Sequence, residues 1–210
     1  MIVKLLAAAT ISTTAIVSFP ANAATLGLDF TGGTKSANTS SIVLGWQFDV
    51  LSKVKVSKLL FFDAEADGLS NDHTVALWRD DGTFLSSATI TSTSASVPSS
   101  SGLGQWMAED ISPIVLDVGR YRIGASYVAG DGDELYIEAA ALTAPQIFYL
   151  ESVAGVGSGA IFPNNPVGTF NEGVFGPSLV TTPIPLPATA VLLIGALAAL
   201  RRAARKTDAL

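Results

Sequence analysis

The chain of 210 residues contains no cysteine and only one histidine, His73. The absence of cysteine excludes disulfides, cysteine-based zinc sites and a cysteine nucleophile. A Ser-His-Asp catalytic triad would have to use His73, which lies at the edge of a turn. The sequence also has no Gly-x-Ser-x-Gly segment, which often carries the nucleophilic serine. We therefore expect His73 to have a turn or strand-start role, and we expect stability to come from the packing of the core.

Basic residues are scarce between Ala24 and Pro187. This segment carries seven Lys and Arg against seventeen Asp and Glu, a net charge of −10, whereas the whole chain has −6. Nucleic-acid binders neutralise phosphates with Lys and Arg, so DNA and RNA are excluded as expected partners. About 160 residues are enough for one domain with its own core.

A sustained helical repeat is also missing from this central segment, where alternating apolar residues and β-branched or aromatic residues dominate. The absence of helical crossovers predicts antiparallel pairing, so the fold class is an all-β, antiparallel, jelly-roll-like β-sandwich over residues 24–150. The eleven predicted strands are Thr25–Phe30, Ile42–Val50, Val54–Phe62, Thr74–Arg79, Thr83–Thr91, Gln105–Asp110, Ile114–Val118, Arg120–Val128, Glu134–Ala141, Gln146–Leu150 and Val174–Thr181.

Turn residues separate these strands. Asp80-Asp81-Gly82 predicts a hairpin between its two neighbouring strands. The Ser- and Thr-rich stretch 92–104 is typical of a flexible surface loop. Residues 152–173 indicate a long irregular connection that covers part of the core through Phe162 and Phe170, within a region 151–182 that ends in a strand near 174–181.

The N-terminus has the layout of a secretory signal peptide over residues 1–23. A short positive start at Met1 to Lys4 precedes an apolar stretch, and a small-residue site of the A-x-A kind follows at Ala21 and Ala23. We expect cleavage after Ala23 and a mature chain that begins at Ala24, outside the cytoplasm.

The C-terminus, residues 183–210, combines a proline cluster, an apolar stretch and a basic end. The apolar stretch 188–200 would give roughly 20 Å of helix, against a hydrocarbon thickness of roughly 30 Å, so it predicts a short single membrane-spanning helix. The basic residues in 201–206 predict a stop signal on the cytoplasmic side; they are Arg201, Arg202, Arg205 and Lys206. The alternative is a buried helix of the soluble domain, which rarely follows a proline cluster.

The same tail resembles a known sorting signal. Ile184, Pro185, Leu186, Pro187 and Ala188, followed by the apolar stretch and the arginines, are similar to the VPLPA variant of PEP-CTERM signals in exopolysaccharide-producing Gram-negative bacteria. That resemblance implies recognition by an exosortase-type processing enzyme, cleavage near the proline motif, and delivery from the inner membrane to the cell surface or extracellular matrix.

The same residues also resemble a second kind of sorting signal. The segment 186–190, Leu-Pro-Ala-Thr-Ala, is similar to the LPxTG signal of Gram-positive sortase substrates, although Ala190 stands where that signal has Gly. A sortase-anchored surface protein is therefore the alternative for the tail.

The central segment resembles DUF4082-like β-sandwich domains over about 100 residues. The resemblance implies a sandwich of unknown ligand and carries over no catalytic residue. The segments that carry it are Gly45–Phe48, Leu59–Asp63, Asp67–Leu69, His73–Trp78, Asp81–Thr83 and Gly119–Tyr121.

One acidic segment could bind calcium. Asp63, Glu65 and Asp67 alternate before Gly68, as at the start of a calcium loop, but the twelfth position is Thr74 and no helices flank it, which excludes an EF-hand. A calcium site using these three carboxylates and Asp72 is one possibility, and a solvated acidic turn is the other. A second acidic loop is formed by Asp131, Asp133 and Glu134.

Three tryptophans, Trp46, Trp78 and Trp106, could stack on sugar rings. Trp78 either fills a second core layer or is exposed, and an exposed Trp78 would favour carbohydrate binding.

Taken together, the sequence predicts an exported, non-enzymatic β-sandwich with a structural or carbohydrate-binding role at the cell surface or in an exopolysaccharide matrix. Its expected partners are the processing enzyme, the membrane and exopolysaccharide, with no cofactor other than the calcium considered above. A surface hydrolase is the alternative, and a cleft with convergent carboxylates would favour it.

Overall fold

The computed structural model describes residues 23–167 and 173–185, which form fifteen strands and no helix. The strands are β1 (Thr25–Leu26), β2 (Leu28–Thr31), β3 (Thr34–Ser36), β4 (Ile42–Val50), β5 (Val54–Ala64), β6 (His73–Arg79), β7 (Phe84–Ile90), β8 (Ala95–Pro98), β9 (Gly104–Leu116), β10 (Gly119–Tyr127), β11 (Leu135–Thr143), β12 (Ile147–Val156), β13 (Asn165–Pro166), β14 (Gly173–Phe175) and β15 (Pro177–Pro183). The predicted all-β class with antiparallel sheets is confirmed.

The predicted signal peptide, apart from Ala23, and the predicted helix 188–200 lie outside the described residues. Within the part of the chain that is described, no helix is long and apolar enough to cross a membrane.

Two large sheets and one small sheet enclose the core in a sandwich-like arrangement. The first sheet has the order β1-β15-β5-β9-β8, and the second has the order β13-β12-β4-β10-β6-β7. The small sheet, β14-β11-β2, has β3 as an additional partner of β11. Strand β5 is central to the packing, because Phe61 stacks on His73 on one side and Phe62 packs against Phe30 on the other.

The alternation of residue types explains which faces are buried. In β10 the side chains of Tyr121, Ile123, Ala125 and Tyr127 are all at most 1 % exposed, as the period of two along a strand requires. In β5 the continuous run Leu59–Phe62 is buried, because layers cover both of its faces.

The predicted hairpin at Asp80-Asp81-Gly82 is confirmed by the antiparallel pairing of β6 and β7. Gly82 has a φ of 86°, which favours glycine, and the Asp81 carboxylate accepts a hydrogen bond from the Thr83 amide. Local residues therefore account for the backbone conformation from Asp81 to Thr83, while Asp80 is held by Gln47 and Arg122 of neighbouring strands.

Some predicted strand boundaries are wrong. The predicted strands Gln105–Asp110 and Ile114–Val118 are one strand, β9, which continues past Pro113. The register shifts between Val56 and Lys58 on the neighbouring strand, so Pro113 lies in an irregularity where a missing amide hydrogen is tolerated. The predicted first strand is divided into β1 and β2 at Gly27.

Two segments predicted as irregular contain strands. The stretch 92–104 includes β8, which pairs with β9, and the stretch 152–173 includes the end of β12 and the short strand β13. The expected covering role of Phe162 is confirmed, since its ring packs edge-on against Trp78 on the outer face of the second sheet. Phe170 lies outside the described residues.

Candidate functional site

The acidic residues singled out in the sequence gather at one end of the sandwich, which we call the acidic end. Strand β5 ends and β6 begins there, and the connection from β10 to β11 lies at the same end because Ala125 pairs with Val75. The acidic end contains Asp63, Glu65, Asp67, Asp72, Asp131, Asp133 and Glu134.

The four predicted calcium ligands make different contacts. Asp63 is 2 % exposed, and its carboxylate accepts hydrogen bonds from the Gly68 amide and the Gln105 side chain. Glu65 forms an ion pair with Lys35 at 3.1 Å, while Asp67 and Asp72 are exposed. Among the described residues no three His, Asp or Glu side chains are grouped as metal ligands.

This placement supports the interpretation of the segment as an acidic turn closed by Asp63. Calcium binding stays a prediction, which a comparison of melting temperatures with and without a chelator tests.

The two acidic loops are joined by Lys35. Its ammonium group lies 2.6 Å from Glu134 and 3.1 Å from Glu65. The hydrogen bond to Glu134 is the largest cause that raises the pKa of Lys35, followed by the bond to Glu65. These groups are largely exposed, so the bridge orients the loops more than it stabilises the fold.

His73 is buried at the start of β6, which confirms its expected strand-start role. Its Nδ1 atom lies 2.8 Å from the Ser126 carbonyl oxygen, and its Nε2 atom lies 2.9 Å from the Asp133 carboxylate. Both ring nitrogens therefore face hydrogen-bond acceptors. The imidazole also stacks on Phe61 with a centroid distance of 3.8 Å.

Asp133 is held by three donors. Besides His73, the amides of Ser70 and Asn71 donate to its carboxylate at 2.8 and 3.0 Å. Burial alone would raise the pKa of Asp133, but the hydrogen bonds from His73, Ser70 and Asn71 outweigh it, so its pKa is lowered. The ionised carboxylate thus ties the turn before β6 to the loop before β11.

Tyr127 lies beside this network and has an unusual hydroxyl group. The hydroxyl is buried and has no hydrogen-bond partner among the described residues. Burial raises the pKa of Tyr127 well above its ordinary value, and the charges of Asp131 and Asp133 add to the effect. The hydroxyl lies against Gly176, where any side chain would collide with it.

Another buried carboxylate, Asp29, was missed in the sequence. It is 6 % exposed and holds the segment Ser99–Ser101, which we call the serine loop. Its carboxylate accepts hydrogen bonds from the Ser99 hydroxyl and from the amide and hydroxyl of Ser100, each at 2.7 Å. The Trp106 indole and the Phe30 amide donate to the same group.

These five donors overcome the cost of burying the carboxylate. Burial would raise the pKa of Asp29, and the bonds from Ser100, Ser99 and Trp106 reverse that and lower it. The serine loop is therefore bound to the fold. The sequence offered two separate signals: an aspartate between the apolar residues Leu28 and Phe30, and three consecutive serines about 70 residues later.

The tryptophans all lie in the interior. The Trp46 indole donates to the Pro177 carbonyl at 2.9 Å, and Trp106 donates to Asp29. Trp78 is 3 % exposed and packs between Phe84 and Phe162. This arrangement supports the second core layer as the role of Trp78, and it leaves no open ring face for a sugar.

Two open clefts are present on the surface. One, of about 390 Å³, is lined by Glu65, Leu103 and Tyr136 at the acidic end. The other, of about 340 Å³, has a floor of alanines from β11 and is bordered by Phe148 and Tyr149. Phe148 is 56 % exposed, so it is an aromatic ring that could contact a ligand there.

The start of the predicted sorting motif is described, and it lies at the limit of the folded body. The Ile184 amide donates to the Lys53 carbonyl at 3.0 Å, and Pro185 is exposed. Leu186, Pro187 and Ala188, together with the predicted stop signal at Arg201, Arg202, Arg205 and Lys206, lie outside the described residues, as does Ala21 of the predicted cleavage site.

The geometry thus provides two buried carboxylate networks, two open surface clefts and a chain that leaves the sandwich at Pro185. Comparison with protein families, with curated proteins and with solved structures gives no match for this chain.

Proposed function

We propose that this protein is an exported cell-surface or exopolysaccharide-matrix protein of a Gram-negative bacterium. Its β-sandwich acts as a non-enzymatic structural or carbohydrate-binding module, and its C-terminal tail is a PEP-CTERM-like sorting signal. An exosortase-type enzyme processes that tail after the tail has held the chain in the inner membrane for a time.

The observation that carries the proposal is that the described strands begin and end close to the boundaries of the two predicted targeting segments. Strand β1 begins at Thr25, two residues after the predicted cleavage at Ala23. Strand β15 ends at Pro183, and the last described backbone hydrogen bond of the chain is made by Ile184. Every described strand pairs with another described strand, so we expect that residues 1–22 and the residues after Pro185 can be removed without unfolding the body.

The non-enzymatic role is supported by the use of the polar groups. Histidine and buried carboxylates are the usual acids and bases of enzymes, but His73, Asp29 and Asp133 are bound to backbone and side-chain partners in the interior. Asp63 closes a turn. In the part of the chain that is described, these groups do not converge on either cleft, which disfavours the hydrolase alternative.

The cleft beside Phe148 is the best place for a carbohydrate. An exposed aromatic ring next to a floor of small residues can contact the apolar face of a sugar, and the neighbouring alanines leave room for it. A glycan array with the full chain tests this role. We expect Phe148→Ala to abolish any signal, while Val156→Ala, a change at another exposed position, leaves it intact.

The sorting role is tested by a chain truncated after Pro185. This truncation keeps β15 and the hydrogen bond of Ile184, so a change of destination cannot be attributed to misfolding. We expect the truncated chain to be released from the membrane fraction and to be absent from the matrix. Delivery equal to that of the full chain would refute the proposal.

Mass spectrometry of the mature C-terminus separates the two kinds of processing. A terminus near Pro187 supports an exosortase-type enzyme. A terminus within Ala188–Ala190 supports the sortase-type alternative, and an intact Leu210 refutes both.

A further inference from the structure

The end of the sandwich opposite the acidic end has a distinct character, and we call it the exit end. It consists of the connections 51–53, 80–83, 117–118 and 144–146. Val50 pairs with Gly119 and Ile147, so β4, β10 and β12 reach this end together. The short connection 51–53 leads from there to Val54, so both large sheets end at the same place.

Both ends of the described chain are located here. Thr25 pairs with Thr181, and the Ile184 amide donates to the Lys53 carbonyl. The 22 residues before Ala23 and the 25 residues after Pro185 therefore depart from the same end of the body.

The distance from the body to the predicted anchor is short. Only Leu186 and Pro187 separate Pro185 from the start of the apolar stretch at Ala188. Three Cα steps of fully extended chain span at most roughly 10 Å. When the chain is anchored, its exit end therefore lies within roughly 10 Å of the start of the membrane-spanning stretch.

Apolar side chains are exposed at the exit end, as Val128 and Val156 are at the acidic end, so charge and the position of the tail distinguish the two ends. Leu51 is 56 % exposed and Val118 is 70 % exposed, and both lie in connections between the two sheets. Val115, opposite Lys55, is 50 % exposed. Exposed apolar residues grouped at the tips of neighbouring connections are typical of surfaces that contact a membrane or a partner.

The charges are distributed unequally between the two ends. The exit end is balanced, with Lys53, Lys55, Arg79 and Arg120 against Asp49, Asp80, Asp81 and Asp117. The acidic end carries seven carboxylates, and in the described part of the chain Lys35 is the one Lys or Arg among them. The net charge of the sandwich therefore changes along the direction of its strands, from balanced at the exit end to negative at the acidic end.

This difference in charge determines which end an anionic bilayer repels less. The eight steps of β4 from Ile42 to Val50 separate the two ends by roughly 26 Å. The Debye length is about 10 Å at 0.1 M salt, so carboxylates at that distance are screened from the bilayer. With the molecule reversed, the same carboxylates would lie within the repulsive surface potential.

From these observations we infer that the exit end, through Leu51 and Val118, rests on the surface of an anionic lipid bilayer while the chain is anchored. The inference depends on the proposed function, because the C-terminal tail supplies the anchor. It adds a defined orientation, in which the acidic end and its cleft face away from the membrane.

The absence of cysteine makes a direct test possible. A single cysteine is introduced in the full chain, either as Val118→Cys at the exit end or as the matched control Val156→Cys, whose position pairs with Ile42 at the opposite end of the second sheet and is 84 % exposed. Each is labelled with an environment-sensitive fluorophore and reconstituted into vesicles of equal parts phosphatidylglycerol and phosphatidylethanolamine that carry a nitroxide-labelled headgroup lipid.

Vesicle flotation reports the anchor, and quenching of the fluorophore by the nitroxide reports the orientation. We expect the chain to float with the vesicles, and we expect the label at position 118 to be blue-shifted and quenched several-fold more than the label at position 156. Leu51→Asp should reduce the quenching at position 118 several-fold, whereas Val128→Asp, beyond the far end of β10, should leave it unchanged.

The outcomes separate the inference from the proposed function. A chain that floats but shows equal quenching at both positions refutes the resting surface and leaves the anchor standing. A chain that does not float refutes the anchor, and the resting surface with it.

Discussion

Replacing Asp29 with asparagine tests whether the serine loop is held by one buried charge. The carboxylate accepts five hydrogen bonds, two of them at one oxygen from the amide and hydroxyl of Ser100. In the Asp29→Asn variant, the new side chain can place its oxygen where it accepts the hydrogen bond from Trp106. Its NH2 group then faces the Ser100 amide, which is also a donor. The Ser100 hydroxyl can rotate to accept a hydrogen bond, but the backbone amide has no acceptor.

The magnitude follows from these two losses. An unsatisfied buried donor costs about 1–3 kcal/mol, and replacing charge-assisted hydrogen bonds by neutral ones weakens those that remain. We expect the free energy of unfolding to fall by about 3 kcal/mol, out of a total of roughly 5–15 kcal/mol for a domain of this kind. With a urea m-value near 2 kcal/mol/M, the unfolding midpoint should decrease by about 1.5 M.

The pH dependence provides a second test on the same variant. The pKa of Asp29 is lowered in the folded protein, so its contribution is fully present above the unfolded pKa of about 3.9 and is lost as the pH falls through the folded value. The difference in unfolding free energy between the wild type and Asp29→Asn should therefore narrow below about pH 4.

Urea unfolding and amide hydrogen exchange of Ser100 are the measurements. The matched control is Asp81→Asn, an exposed turn aspartate whose hydrogen bond to the Thr83 amide an asparagine oxygen can replace, so we expect little change. The reasoning fails if Asp29→Asn costs less than about 1 kcal/mol and the Ser100 amide stays protected from exchange.

Three further variants probe other parts of the core. His73→Phe removes the ring hydrogen-bonded to Asp133 and Ser126 and leaves the buried Asp133 carboxylate without one partner, so it should lower the unfolding free energy by about 1–3 kcal/mol in urea, and an unchanged unfolding free energy would contradict this role of His73. Tyr127→Phe removes a hydroxyl without a described partner, so we expect a melting temperature equal to or above that of the wild type, and a clear decrease would reveal a partner. Gly45→Ala places a methyl group against the Ile123 carbonyl of the paired strand, so this variant should lose the cooperative unfolding transition in circular dichroism, which Val156→Ala should retain.

The sequence predicted the strands best where the alternation of residue types was strong. The predicted bounds of Ile42–Val50 agree with β4, and the apolar face of β10 is buried as expected. The prediction failed where the decisive contact was distant. The stretch 92–104 looks flexible by composition, but its serines are fixed by Asp29, which no local pattern connects with them.

The site residues show the same limit. A turn or strand start was evident for His73 from its neighbours, but its partner Asp133 lies 60 residues away in a loop that shares no motif with it. Alternating carboxylates at 63, 65 and 67 suggested a cation site from spacing alone. Spacing could not show that Asp63 turns inward to Gln105 while Glu65 turns toward Lys35.

The position of β15 places a limit on where the tail can be cut. It lies between β1 and β5: its residues pair with β5 from Pro177 to Pro183, and Val180 and Thr181 also pair with β1. Cutting before Pro183 would remove part of an interior strand and expose the unpaired edge of β5, so the proposed processing of the tail is compatible with the fold only if the cut lies after Ile184. Because β15 is the last strand among the described residues, the first sheet as described is completed only when the chain has been made as far as the start of the proline cluster. An enzyme that cuts at Leu186–Ala188, as we propose, would therefore act on a chain in which all the described strands have already been made.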